Sequence, residues 1–149
     1  MSLLARCMIA AMLASTGCAR THGSSCCESS VAAASSSAQS REPGTMSLEQ
    51  VATRVRTHDG RAFIFDANPR EMYEQRHVPG ARWVPYDGVT ADVLPQDRSA
   101  TVVFYCANPR CSASPHAART AIALGWTNVY VMPDGIFGWV AAGLPVQPG

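Results

Sequence analysis

The chain has 149 residues, of which 47% are apolar and 15% charged, and its net charge is +1. That length suffices for one domain of ordinary size with a buried core. Near-neutral charge excludes a nucleic-acid binder that works through bulk positive charge. The cysteines are unevenly placed: Cys7, Cys18, Cys26 and Cys27 stand near the start, whereas Cys106 and Cys111 stand together far downstream. This is not the spacing of a small disulfide-stapled scaffold.

Residues 1–17 read as an export signal. Arg6 supplies a positive charge, and Cys7 to Leu13 a short apolar run. Ala14-Ser15-Thr16-Gly17-Cys18 resembles the lipobox of bacterial lipoproteins, which implies cleavage before Cys18 and a lipid on its sulfur; Ser15 stands where an apolar residue is usual. An ordinary cleaved signal, or an upstream extension of a protein starting at Met46, are the alternatives. The expectation is export to the periplasmic side of a bacterial membrane, lipid-anchored or free. Residues 18–45 read as a serine-rich flexible tether, which cannot bury enough apolar surface to order itself. Cys26 and Cys27 read as incidental residues of that tether, with pairing to other chains or metal binding alongside His22 as the alternative, and no metal or cofactor is expected. No later stretch is long enough to cross a bilayer.

From Met46 to Gly149 the pattern is that of a folded domain. Ser47 and Gln50 have the spacing of a helix capping box, and Leu48, Val51 and Val55 share a helical face. Arg61 to Phe65 reads as a strand ending at Asp66, followed by a short helix over Glu71–Gln75. Ala81 to Val84 is a brief strand, and Val89 to Leu94 has no decisive period. Thr101–Tyr105 is an apolar strand, Ser114 to Leu124 a helix, Asn128–Met132 a strand and Ile136–Ala142 a helix. Alternating strands and helices predict an α/β fold of three layers, a parallel sheet covered on both faces. Reactive groups of such sheets gather at the carboxyl ends of strands, where Asp66 and Cys106 both stand.

Cys106 carries most of the chemical information. A thiol between a strand end and a helix start meets unpaired backbone N–H groups and the positive end of a helix dipole, both of which favour a thiolate. The backbone N–H groups of Ala107, Asn108, Arg110, Cys111 and Ser112 are candidate anion donors if the loop curls round the sulfur. Pro109 has no N–H to offer. Phosphatase-type oxyanion chemistry is excluded, because it needs an arginine where Ser112 stands.

These residues are similar to a family. Phe65-Asp66-Ala67-Asn68-Pro69-Arg70 with Tyr73-Glu74, then His77-Val78-Pro79-Gly80-Ala81, Tyr105-Cys106, Gly125-Trp126 and the tail Asp134 to Val146 resemble, in order, the markers of a single rhodanese domain. The resemblance covers residues 46–149. It implies the sulfurtransferase fold and a persulfide on Cys106, drawn from thiosulfate or a similar small donor and passed to a thiol or cyanide. Cys111, Ser114 and Pro115 fit a subset with two cysteines in the loop. Arginine is absent from the fifth position after Cys106, where Cys111 stands, and Asn68 stands where an arginine often follows the aspartate.

Within this reading Cys106 is catalytic, while Asp66 and His77 support neighbouring loops. Arg110 either attracts the donor or is a solvated surface group. Cys111 is a resolving thiol, a protecting thiol or a packed loop residue. The alternative function is a thiol–disulfide or sulfur-carrier protein, or a binding module, built on the Cys106/Cys111 pair. Trp139 is expected in the core and Phe137 at the border of the pocket. The sequence carries no oligomer signal.

Overall fold

The computed structural model describes residues 41–57 and 60–149. The signal, Cys18, Cys26, Cys27 and the tether up to residue 40 lie outside the described residues. Five strands and four helices follow in chain order: β1 (Gly44–Thr45), α1 (Leu48–Thr57), β2 (Ala62–Asp66), α2 (Arg70–Gln75), β3 (Arg82–Trp83), β4 (Thr101–Tyr105), α3 (Ala113–Ala123), β5 (Asn128–Met132) and α4 (Gly135–Ala141). All pairings are parallel, in the order β1-β5-β4-β2-β3. The domain is therefore α/β with a covered parallel sheet. β1 corrects one boundary: Gly44 and Thr45 belong to the sheet, not to a tether, and Glu42 already pairs with Arg119 at 3.0 Å. Two residues with no apolar pattern gave no strand signal, since this edge strand is defined by backbone pairing alone.

The two faces of the sheet follow from the two-residue period of a strand. Val102 and Phe104 of β4 join Ala117, Ala118 and Ala121 of α3 in one buried cluster. Val103 and Tyr105 join Val51 of α1 and Ile136 and Trp139 of α4 in the other. Because both faces are covered, β4 reads as an unbroken apolar run rather than an alternating one. Small alanines on α3 let that helix lie close to the sheet. Ser47 and Gln50 cap α1 reciprocally: the Ser47 N–H donates to Gln50 Oε1 at 2.8 Å and the Gln50 N–H to Ser47 Oγ at 3.3 Å. The Val89–Leu94 stretch forms no regular element, and Val89 and Leu94 instead cover the α3 side of the sheet.

β2 and β4 are neighbours in register, with Asp66 opposite Tyr105. Their carboxyl ends therefore open at the same edge, and the next residues along each strand meet there.

Candidate active site

Cys106 is the first residue after β4, and α3 begins at Ala113. The Cys106 side chain is only 1% exposed. A disulfide to Cys111 covers its sulfur, with the two Cα atoms 6.4 Å apart. Its other polar neighbour is Ser114 Oγ at 3.2 Å, itself buried. Of the alternatives the sequence left open for Cys111, the structure shows the paired one, with Cys106 buried and Cys111 outermost.

The loop is shaped by two sets of hydrogen bonds. Asn108 folds it from within: its carbonyl accepts from the Cys111 N–H at 3.0 Å and its side-chain oxygen from the Arg110 N–H at 2.9 Å. Two of the five expected anion donors are thus engaged inside the loop in the disulfide form. From outside, the first amides of α4 hold the loop's carbonyls. Ile136 N–H donates to Cys106 O at 2.8 Å, and Phe137 N–H to Ala107 O at 3.0 Å. A trans peptide plane points its N–H opposite to its C=O. The N–H groups of Ala107 and Asn108, which share those two planes, therefore point away from α4. Among the described residues the amides of Ala107, Asn108 and Ser112 donate to no protein acceptor. Amides left without a protein acceptor at such a turn are available to an anion.

This approach of α4 depends on Gly135, whose φ is +63°. A Cβ there would stand 2.5 Å from the carbonyl oxygens of both Cys106 and Ala107. Only glycine meets both demands. Phe137, expected at the pocket border, is 44% exposed and does not line the cavity, whereas Trp139 is fully buried as expected.

At the β2 end, Asp66 is fully buried. Its carboxylate accepts from the Tyr105 hydroxyl at 2.7 Å and the Asn68 N–H at 2.8 Å, and the Tyr105 oxygen accepts from the Val78 N–H at 3.0 Å. Burial raises the Asp66 pKa above the ordinary carboxylate value, outweighing the hydrogen bonds that favour the charge. Burial and the nearby carboxylate likewise push the Tyr105 hydroxyl far up, so it remains a donor. His77 is buried, stacks on Tyr73 with ring centres 4.0 Å apart, and sets Nδ1 3.0 Å from Tyr73 O. The backbone of His77 exchanges hydrogen bonds with Gln147. Asp66 and His77 thus fasten the turn at Val78–Ala81 to strand ends and tail, and neither touches Cys106 directly.

A cavity of about 580 Å³ opens beside the loop. Ala107, Cys111 and Ala113 line it from the cysteine loop and the start of α3, and Asn68, Trp83 and Tyr86 from the segments at the ends of β2 and β3. Trp83 donates from Nε1 to Asn68 O at 2.9 Å. Asn68 is 3% exposed; its amide lies close enough to Asp66 to favour the charged carboxylate, yet neither amide atom meets a partner at hydrogen-bond geometry. Of these lining residues, sequence reasoning missed Trp83 and Tyr86 altogether. The signal that points to them is position, since Trp83 ends β3 and Tyr86 follows it, at the carboxyl edge of the sheet where Cys106 stands. Arg110 is exposed and does not line the cavity; Ser112 is exposed, and its carbonyl accepts from the His116 N–H at 3.1 Å.

With this geometry in place, the comparisons are decisive. The model of the rhodanese-like domain matches residues 47–142. The chain belongs to the rhodanese-like family. An HTH-type transcriptional regulator of Mycobacterium tuberculosis is 32% identical over 94 residues, which span 63% of this chain and 41% of the regulator. The chain thus matches about two fifths of that relative's length. The rhodanese-like domain of an Anabaena protein superposes with a TM-score of 0.62 at 20% identity, covering 73% of this chain and 81% of the other. A thiosulfate sulfurtransferase of Pseudomonas aeruginosa gives a TM-score of 0.63 at 23% identity over 72% of this chain and 20% of its own. These two establish the rhodanese fold, and family membership supports sulfurtransferase chemistry in general.

Proposed function

We propose that the chain is an exported sulfurtransferase that moves sulfane sulfur through a persulfide on Cys106, from thiosulfate or a related donor to a thiol or cyanide. The observation that carries this reading is the position of Cys106 behind unengaged amides at the joint between β4 and α3. The cycle begins with reduction of the Cys106–Cys111 disulfide by two equivalents of thiol. The Cys106 thiolate attacks the outer sulfur of the donor; the donor's sulfur–sulfur bond breaks and, for thiosulfate, sulfite leaves. The enzyme then holds one extra sulfur. An acceptor thiol or cyanide attacks that sulfur, leaves as a persulfide or thiocyanate, and restores the thiolate. No outside electrons enter this part of the cycle, and ping-pong kinetics follow from it.

The amides of Ala107 and Asn108 supply fixed partial charge to the thiolate and the persulfide anion. The test is mass spectrometry of the peptide containing Cys106, taken from reduced protein after incubation with thiosulfate or polysulfide. One added sulfur is expected, and none in Cys106→Ala. Failure to form the persulfide with every donor contradicts the proposal. Lipid labelling of the full chain and of Cys18→Ser tests the anchor; equal label in both argues against it.

The disulfide favours a second reading, in which Cys111 is a resolving thiol. Its thiolate would attack the Cys106 sulfur of the persulfide, expelling hydrosulfide and closing the disulfide, which a partner thiol then reduces. Cys111→Ser should then accumulate persulfide where the unmodified chain releases sulfide. Equal turnover of the two proteins, with no oxidised pair, removes this reading.

A further inference from the structure

We infer that the cavity beside the cysteine loop selects a sulfur donor with an apolar organic body and discriminates against the thiosulfate dianion. The inference rests on the persulfide cycle proposed above and narrows the donor within it.

Size is the first argument. A cavity of about 580 Å³ is far larger than a five-atom ion needs, and it lies in the range that holds small organic ligands. The walls are the second. Pro69, Met72, Trp83, Pro85 and Tyr86 present hydrocarbon and aromatic surface to it. An oxyanion entering there would lose hydration without gaining a partner. Charge is the third. Among the described residues that line the cavity there is no arginine, and Asp87 contributes a carboxylate. That charge opposes the entry of a dianion.

Arg110 of the loop is exposed and lies outside the cavity lining, and two further arginines near it are committed elsewhere. Arg70 pairs with Glu74 at 2.9 Å and lies over the Trp83 ring, 5.0 Å from its centre. It braces Trp83 instead of lining the cavity. Arg82 lies over Phe63, 5.8 Å from the ring centre.

Asn68 supplies the specific feature. It lies on the cavity wall, it is buried, and its amide, although near the Asp66 carboxylate, completes no hydrogen bond at good geometry. A buried amide in that condition is uncommon in native proteins. It offers a donor and an acceptor with no net charge, which suits a neutral polar group on an otherwise apolar ligand. Cys111 and Ala107 share the same cavity, so a ligand seated there has its sulfur end beside the loop. The class that fits is an organic persulfide or polysulfide with an aromatic or aliphatic body.

The experiment compares benzyl hydropersulfide with thiosulfate on the reduced full chain. The initial rate of sulfur addition to Cys106 is followed by quenched mass spectrometry. Each rate is divided by that of the same donor with free N-acetylcysteine, which removes intrinsic reactivity. The expected normalised preference for the benzyl donor is about tenfold or more, the scale on which an apolar pocket discriminates. Asp87→Arg, at an exposed position, should shift the ratio toward thiosulfate by about tenfold, and Trp83→Ala should shift it the same way by losing the benzyl donor. A normalised ratio at or below unity, or one unmoved by Asp87→Arg, overturns the inference while leaving the persulfide cycle intact. Absence of sulfur on Cys106 with both donors overturns the cycle itself.

Discussion

Two strand ends stand side by side in this domain and are finished in opposite ways. At the end of β2 every polar atom of Asp66 and the Tyr105 hydroxyl is used, in a chain that runs from the Val78 amide through Tyr105 to the carboxylate. At the end of β4 the Ala107, Asn108 and Ser112 amides are left without protein acceptors, and the sulfur of Cys106, beside Ser114 Oγ, is bonded to a neighbour that a thiol can displace. A closed network fixes geometry; an open set of donors leaves binding capacity unspent. The first end gives the second a rigid frame. The burial differs in the same sense: Asp66 and Tyr105 are fully buried, whereas Ala107 and Asn108 are half-buried and Ser112 is exposed.

The largest expected effect breaks the open end. Cys106→Ala, compared with the unmodified chain in excess reductant, should lower sulfur transfer at least about 10³-fold, or roughly 4 kcal/mol of barrier. Its unfolding midpoint in urea should stay close to that of the reduced parent. Comparable turnover by the variant would mean that another group carries the sulfur. Next comes the joint between loop and α4. Gly135→Ala meets a positive φ and a backbone clash together, and a loss of about 3 kcal/mol of stability is expected from the two; urea unfolding measures it.

A smaller effect tests the closed end. Tyr105→Phe keeps the ring but strands the Val78 amide and one oxygen of Asp66, at a cost of about 2 kcal/mol. Sulfur transfer per folded molecule should change far less than in Cys106→Ala, and a comparable loss would make Tyr105 part of the chemistry. The smallest effect is in pH. The folded-state pKa of Asp66 lies above the unfolded value of 3.8. The folded chain therefore keeps a proton that the unfolded chain gives up, and the contribution of Asp66 falls as pH rises from near that value through the raised one. The stability of the unmodified chain relative to Asp66→Asn should decline across that interval and then level. A difference that is flat with pH would contradict the raised value.

Much of this was legible in the residues. The β4 and β5 ranges followed from apolar runs bounded by turn residues, and the capping box of α1 from Ser47 and Gln50. Both signals are local, and local signals survive folding. The position of Cys106 at a strand end was legible for the same reason. The cavity was not, because it is assembled from segments after β2, β3 and β4 that meet only through the parallel register. The unpartnered amide of Asn68 was equally invisible, since a missing partner is a property of three-dimensional neighbours. β1 escaped because an edge strand of two residues has no period to read. The engagement of the Arg110 and Cys111 amides by Asn108 shows the remaining gap: residue types name the donors available, and only the loop conformation decides which are free.

Gly135 ties the last helix to the chemistry at a distance. The amides of Ile136 and Phe137 hold two carbonyls of the cysteine loop, so those peptide units take their orientation from α4. The pose of the cysteine loop is thereby set from outside it: a change that tilts α4 would re-aim two of its peptide units without altering any atom of the loop's own sequence.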